Sequence, residues 1–312
     1  MKILITGGTG LIGRFLCKKL LQQGHAPVVL SRDAAAARDR LPAGVRLIQW
    51  QPRVERVPTE AVEGAAAVIN LAGENIGAGR WTTSRKRLIM QSRVEVTRAL
   101  VEAFRGLKSP PRVFISGSAI GYYGPCGDEE LTETSPPGHG FLTEVCRVWE
   151  QEAHRAGDLG VRVVTLRTGI VLAREGGTLP RMVTPFRLFL GGPLGSGRQW
   201  VSWIHIGDAV WIILLALKHP TMSGPINLTA PEPARMDEFA SVLGRILKRP
   251  SGMRVPAWVL KMVLGEMAGL LLTGQRVLPA RALEEGYEFR HPGLARALED
   301  LLVSSRPKKV RG

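Results

Sequence analysis

The sequence predicts an α/β protein organised around a doubly wound parallel sheet, and three observations carry that expectation. An apolar run at residues 3–5 leads into a glycine-rich turn at Gly7, Gly8, Gly10 and Gly13. Strand-like runs then alternate with helical stretches as far as residue 172, the pattern of strands joined by helical crossovers. Clusters of small residues recur where those strands end.

The glycine turn is followed by an amphipathic stretch from Leu11 through Phe15, Leu16 and Leu20, with Gly24 as its C-cap. Residues 28–30 close the unit as a second strand. Strand, glycine turn, helix and strand within about thirty residues form the context in which a glycine pattern points to a dinucleotide. Glycine lets the backbone approach a pyrophosphate, and the helix beginning near Leu11 offers N–H groups and a positive dipole end. Gly7, Thr9, Gly10, Leu11, Ile12 and Gly13 are the expected contacts, and Gly13 also allows helix and strand to pack closely. A tight turn without a ligand is the competing reading. An NAD protein usually places a carboxylate at the end of the second strand, for the ribose 2′-hydroxyl. Here Ser31 and Arg32 hold that place, with Asp33 after them. A hydroxyl and a guanidinium suit a 2′-phosphate, so the expected cofactor is NADP. A solvated arginine beside an NAD site is the alternative.

Further strands are expected at residues 45–49, 67–70, 112–116 and 161–167, with helical stretches at 84–107 and 141–158. In such a sheet ligands gather at the carboxyl ends of the strands. Three motifs lie there: Asn70-Leu71-Ala72-Gly73, the run from Ser116 and Ser118 to Tyr122-Tyr123-Gly124, and residues 167–172. Each alone would pass for an ordinary turn; their order after the glycine turn is what makes the set informative.

Beyond residue 172 the alternation breaks down. The glycine-rich loop at 191–197 has no helix directly after it, so it is not a second phosphate turn. Trp203-Ile204-His205 leads into an apolar helix with Asp208 at its first turn or N-cap, and His205 reads as structural rather than catalytic. Residues 236–247 form an amphipathic helix, and 255–302 are helical with an interruption at 274–279. The expected organisation is a dinucleotide-binding domain over 1–172, to which 198–230 return. A smaller, mainly helical lobe over 173–302 closes on the sheet's binding edge, and a frayed basic tail covers 303–312.

Lysine plus arginine number 42 against 27 acidic residues in 312, a formal charge of +15. The basic residues are mostly arginine spread along the chain, and no zinc-finger spacing or aromatic RNA-binding strand accompanies them. Arginine bias with an anionic cofactor is therefore preferred to nucleic-acid binding. Cys17, Cys126 and Cys146 are too few and scattered for a disulfide framework or a metal cage, which suggests a reducing, cytoplasmic setting and no metal. The chain opens on its first strand, so no signal peptide is expected. The apolar windows at 210–217 and 259–272 are short or carry Lys261 and Glu266, and read as core helices rather than membrane spans.

With these motifs in place, the chain resembles the extended short-chain dehydrogenase/reductase superfamily. Within it, the chain is similar to the "epimerase family protein" group, which is NAD-dependent epimerase/dehydratase-like and has a small C-terminal domain. The residues carrying the likeness are Thr6-Gly7-x-x-Gly10-x-x-Gly13, Asn70 to Gly73, Ser118 with Tyr122-Tyr123-Gly124, Arg167, and Trp203-Ile204-His205. Gly73-Glu74-Asn75-Ile76, Arg80-Trp81, Ser92-Arg93, the 190–197 loop and residues 274–279 carry the likeness to the narrower group. The resemblance implies a Rossmann NADP-binding domain. It also implies a Ser that orients a substrate oxygen, a Tyr that moves its proton and a Lys four residues later. Ser118 matches the first, but Leu142 and Cys146 stand at the Tyr and Lys places, and no Tyr-x-x-x-Lys exists in the chain. Tyr122 or Tyr123 is then the candidate proton donor, with Glu144 behind them, although both tyrosines could equally be packing residues. The resemblance places Leu71 and Ala72 near the adenosine or phosphates, Arg93 at a cofactor phosphate or ribose, and Val171 at the nicotinamide end. It points to an oxidoreductase or epimerase acting on an unidentified small molecule. An NADP-binding sensor or scaffold is the alternative, and a homodimer paired through the Rossmann domain stays open.

Overall fold

The computed structural model describes residues 1–304; most of the expected basic tail lies outside the described residues. In chain order the first elements are β1 (Lys2–Thr6), α1 (Leu11–Gln22), β2 (Ala26–Ser31), α2 (Ala34–Arg38) and β3 (Arg46–Gln49). Then come α3 (Thr59–Val62), β4 (Ala67–Asn70), α4 (Thr83–Arg105), β5 (Val113–Ala119), β6 (Glu130–Leu131) and α5 (Phe141–His154). They are followed by β7 (Arg162–Thr168), β8 (Ile170–Leu172), α6 (Leu179–Arg187), β9 (Trp200–Val201), β10 (Trp203–His205) and α7 (Ile206–Lys218). The chain continues with β11 (Gly224–Leu228), β12 (Ala234–Arg235), α8 (Met236–Leu247), α9 (Ala257–Leu264) and α10 (Gly269–Leu272). It ends with β13 (Arg276–Val277), α11 (Ala280–Glu284), α12 (Leu294–Glu299) and a π-helical turn over Asp300–Ser304. No helix among the described residues is long and apolar enough to cross a membrane.

The chain divides into two compact units, residues 1–124, 136–168 and 209–228 in one, and 125–135, 169–208 and 229 onward in the other. The first holds a parallel seven-stranded sheet in the order β11-β7-β5-β4-β1-β2-β3. Strands covered on both faces read as continuous apolar runs, and Ile3–Ile5 and Ala67–Ile69 are buried throughout. α1 covers one face with Gly13, Leu16, Cys17 and Leu20, a helical stripe. On α4, Leu100, Val101 and Phe104 are buried, and Phe104 meets Phe114 edge to face at 5.3 Å.

The chain leaves the sheet at Gly169 rather than at 172. A side chain there would meet the Ser202 carbonyl oxygen at 2.5 Å, and β8 then pairs with β10 in the second unit. Only residues 209–228 of the expected 198–230 return, because β11 adds to β7 in register from Gly224↔Val164 onward. In the second unit, β9 pairs with β12 and β6 with β13. The window at 259–272 is not a core helix. α9 and α10 bury no residue completely, since short helices apolar on every side leave most of that surface outside; Met267 and Ala268 between them are buried.

Asp208, at the start of α7, is wholly buried and accepts from the Tyr287 hydroxyl (2.7 Å) and from the backbone N–H of Arg290 (3.0 Å) and His291 (3.1 Å). It ties the C-terminal segment down rather than serving only as a cap. His205 accepts from the Gly207 N–H through Nδ1 (3.0 Å), stacks on His291 with ring centres 3.8 Å apart, and lies 3.3 Å from Asp300. Burial, and then the charge of His291, push its pKa down to about 4 against the pull of Asp208 and Asp300. A base held neutral in the fold binds its proton more readily when unfolded. Its contribution to stability is therefore present above the unfolded value of about 6.5 and lost as pH falls toward about 4. The urea midpoint of unfolding is expected to fall across that window. His205→Asn, which retains an acceptor for the Gly207 N–H but does not titrate, should flatten the fall. Identical pH slopes for the two proteins would remove His205 as the cause.

Candidate functional site

In the first unit the strand order reverses between β1 and β4, where a doubly wound sheet opens a crevice at its carboxyl edge. A cavity of about 610 Å³ lies there. Its walls include Thr9 and Gly10 of the glycine turn, Ser31 and Arg32 after β2, Leu71 to Gly73 after β4, and Ser92 and Val96 of α4. Gly7 adopts φ +69°, and a Cβ on it would lie 2.5 Å from the Leu71 carbonyl carbon and oxygen. One on Gly13 would lie 2.4 Å from the Gly7 carbonyl oxygen, so both close approaches require glycine. Asn70 holds the other side. Its Oδ1 accepts from the Thr6 hydroxyl (2.6 Å) and the Ala72 N–H (3.3 Å), and its Nδ2 donates to Thr97 Oγ1 (2.8 Å).

Leu11 and Ile12 open α1, whose N-cap is Gly10; no side chain caps the end and no acid lies in its first turn. Its first-turn N–H groups therefore suit a pyrophosphate. At the other end of the cavity, Ser31 Oγ is bonded to the Asp33 backbone, and the Asp33 carboxylate is used as the N-cap of α2, accepting from the Ala36 N–H at 2.9 Å. Arg32 is exposed, and no hydrogen bond among the described residues holds its guanidinium. Arg53 also lines the cavity, but its guanidinium is tied to Glu95 (2.6 Å) and Gln91 (2.9 Å). The carboxylate is withdrawn and the cation is available.

On β5, β7 and β11, the strands that follow β4 in the sheet, lies a buried polar network, none of whose residues lines this cavity. Ser118 of β5, Arg167 of β7 and Asn227 of β11 are register partners across three adjacent strands. Glu150 of α5 accepts from the Ser118 hydroxyl (2.6 Å) and from Arg167 through both oxygens (2.9 Å each). Arg167 also donates to the Tyr123 hydroxyl (3.0 Å), which donates to Asn227 Oδ1 (2.7 Å). Burial opposes the charge of Arg167, but the bonds to Glu150 and its charge outweigh that and hold the guanidinium more firmly protonated than usual. Tyr123 has no exposed surface. Tyr122 is half-buried, with the Arg167 guanidinium 3.5 Å from its ring centre. A cation is thus brought to both tyrosine rings from β7.

Leu142 of α5 packs on Gly121 and the Cys146 thiol on the Ala119 carbonyl (3.6 Å), so the Tyr and Lys places of the resemblance do face the end of β5. Burial pushes the Cys146 thiol up to about 11, which keeps it neutral at neutral pH. Glu144 is exposed, and its bonds from Arg147 hold it below its ordinary range.

A family model described as the NAD dependent epimerase/dehydratase family matches residues 3–228. The chain belongs to that family. A second model, of a domain of unknown function, matches residues 255–301. A chloroplastic epimerase family protein SDR39U1 homolog of Arabidopsis thaliana is 42% identical, covering 97% of this chain and 87% of its own. Epimerase family protein YfhF of Bacillus subtilis is 37% identical, with coverage of 98% and 99%. The crystal structure of human epimerase family protein SDR39U1 (isoform 2) with NADPH superposes with a TM-score of 0.87 at 36% identity, covering 96% of this chain and 99% of that one. Both the α/β sheet and the helical C-terminal region follow the family.

Arg93 does not line the cavity. Its guanidinium donates to the carbonyls of Ile89 (3.0 Å) and Glu74 (3.0 Å) and stacks on Trp149, binding the segment after β4 to α4. Burial pushes its pKa down, which also sets it apart from a solvent-facing phosphate ligand. Val171 lies in β8 of the second unit, paired with Ile204, whereas the cavity walls come from the first. Glu150 was not recognised as a site residue from sequence. Its signal was present, because it interrupts the buried stripe of Cys146, Trp149 and Ala153 on α5 with a carboxylate. Removing that charge takes from the buried Arg167 the carboxylate it bonds through both oxygens. Glu150→Gln is expected to lower the unfolding free energy by about 3–5 kcal/mol in urea titrations, and an unchanged midpoint would contradict a paired Arg167.

Proposed function

We propose that the chain binds NADP in the cavity of the first unit and acts as an oxidoreductase or epimerase on a small molecule. The observation that carries the cofactor reading is the pairing of an unengaged Arg32 with an Asp33 carboxylate committed to a helix cap. The human relative crystallised with NADPH supports it. The Gly7 and Gly13 approaches and the α1 N-terminus would receive the pyrophosphate, and Arg32 the 2′-phosphate. When bound, the cofactor gives or takes a hydride. Among the chain's own groups, Tyr122 is the candidate to move the accompanying proton, since Tyr123 is sealed inside and Glu144 is ion-paired at the surface. Ser118, with its hydroxyl donated to Glu150, would offer only its remaining lone pairs to a substrate proton.

That last point favours a second reading, in which NADP is bound as a signal and not turned over. Three cysteines outside any disulfide support a reducing compartment, the cytoplasm being the reading for this chain.

Calorimetry is expected to show saturable NADPH binding, with Arg32→Ala weakening NADPH about tenfold or more and NADH little. Equal losses for the two cofactors would count against the 2′-phosphate assignment. With a panel of carbonyl compounds and sugar nucleotides, oxidation of bound NADPH should be slowed about 100-fold by Tyr122→Phe at unchanged NADPH affinity. Tight binding without oxidation of NADPH by any compound would favour the sensor.

A further inference from the structure

The second unit contains a cavity of about 650 Å³ that the cofactor reading does not use. One face of α6 forms a wall, with Leu179 and Val183 buried at its base. Leu247, at the end of α8, and Leu301, after α12, complete an apolar floor. Three cations line it as well: Arg174 after β8, Arg187 at the end of α6 and Arg249 just past α8. No carboxylate lines the cavity, and no ion pair among the described residues neutralises these three arginines.

Backbone geometry singles out the same rim. Phe189 (φ +62°) and Lys248 (φ +55°) are the two non-glycine residues among the described ones with left-handed backbone. Each is the residue by which a helix turns off. The Phe189 and Leu190 N–H groups bond back to Phe186 and Pro185, and the Lys248 and Arg249 N–H groups to Arg245 and Gly244. Glycine is the usual residue at that place, and a side chain there is strained. The two turns meet, since the Arg249 guanidinium lies over the Phe189 ring at 4.4 Å. Helix dipoles favour cations at Arg187 and Lys248, but they do not explain Arg174, which ends no helix.

We propose that this cavity binds a single-chain amphiphile with an anionic head, a carboxylate or a phosphate, held by Arg174, Arg187 and Arg249 with its apolar chain on the leucine and valine floor. Guanidinium groups bind such heads through paired N–H bonds, and an apolar floor beside them rewards an attached chain that a bare anion lacks. The chain's own C-terminal tail is a poor occupant. Arg306, Lys308, Lys309 and Arg311 give it the same sign as the rim.

The test is calorimetric titration of the full-length protein with decanoate, decyl phosphate, decyltrimethylammonium and inorganic phosphate, each below its micelle concentration. One saturable site for decanoate and decyl phosphate is expected, with no comparable heat from the other two. Arg187→Glu should weaken decanoate about tenfold or more at an unchanged melting temperature. Thr184→Trp, which fills the mouth from an exposed position of α6, should abolish the heat. Arg174→Glu serves if Arg187→Glu unfolds. Equal binding of the cationic amphiphile would overturn the role of the arginines. Inorganic phosphate matching decyl phosphate would overturn the role of the apolar floor, and the absence of saturable decanoate binding would overturn the site.

Discussion

The constraint on which the cavity of the first unit depends is the approach of Gly7 to the Leu71–Ala72 peptide. Two loops that end neighbouring strands touch through their backbones, with no room for a Cβ. Everything at the cavity follows from that contact. It brings the end of β4 against the turn that launches α1, and Asn70 fixes it by bonding Thr6, Ala72 and Thr97 at once. Gly13 repeats the device within the first turn of the helix, so that α1 begins close against the glycine turn. The N–H groups that suit an anion here are thus presented by the backbone, at positions that lack side chains.

The polar network on β5, β7 and β11 is organised by burial. Ser118 occupies the position where the resemblance expects an oriented hydroxyl, yet its proton goes to Glu150, which also neutralises Arg167. An arginine and a glutamate removed from water require each other, because either alone would be an uncompensated charge. Tyr123 and Asn227 complete the bonding of Arg167 and are drawn into the interior with it. Tyr122 escapes, keeping part of its surface while its ring rests on the same guanidinium. The half-exposed Tyr122 and the structural ion pair are therefore joined through Arg167.

Much of this was legible in the chain. The glycine turn and the alternating strands could be read directly, because short-range spacing and residue type determine strand, turn and helix start. Other assignments could not. Arg93 suits a phosphate by position and charge, but its guanidinium is engaged by the Ile89 and Glu74 carbonyls. The window at 259–272 is apolar enough for a core, yet all of it but Met267 and Ala268 is left half-buried or exposed. Periodicity reports that a segment is apolar and does not report what remains to cover it.

By itself the sequence determined the α/β class, the dinucleotide-type turn and the absence of the Tyr-x-x-x-Lys pair, since each depends on residues adjacent or a few places apart. Tertiary structure decided what those residues do. It placed Glu150 on Ser118 across 32 positions and Arg167 on Tyr123 across 44. It returned residues 209–228 to the sheet, and gathered Arg174, Arg187 and Arg249 around one apolar floor. Charge and burial act through distance in space, and spacing along the chain fixes that distance only within a helix, a strand or a turn.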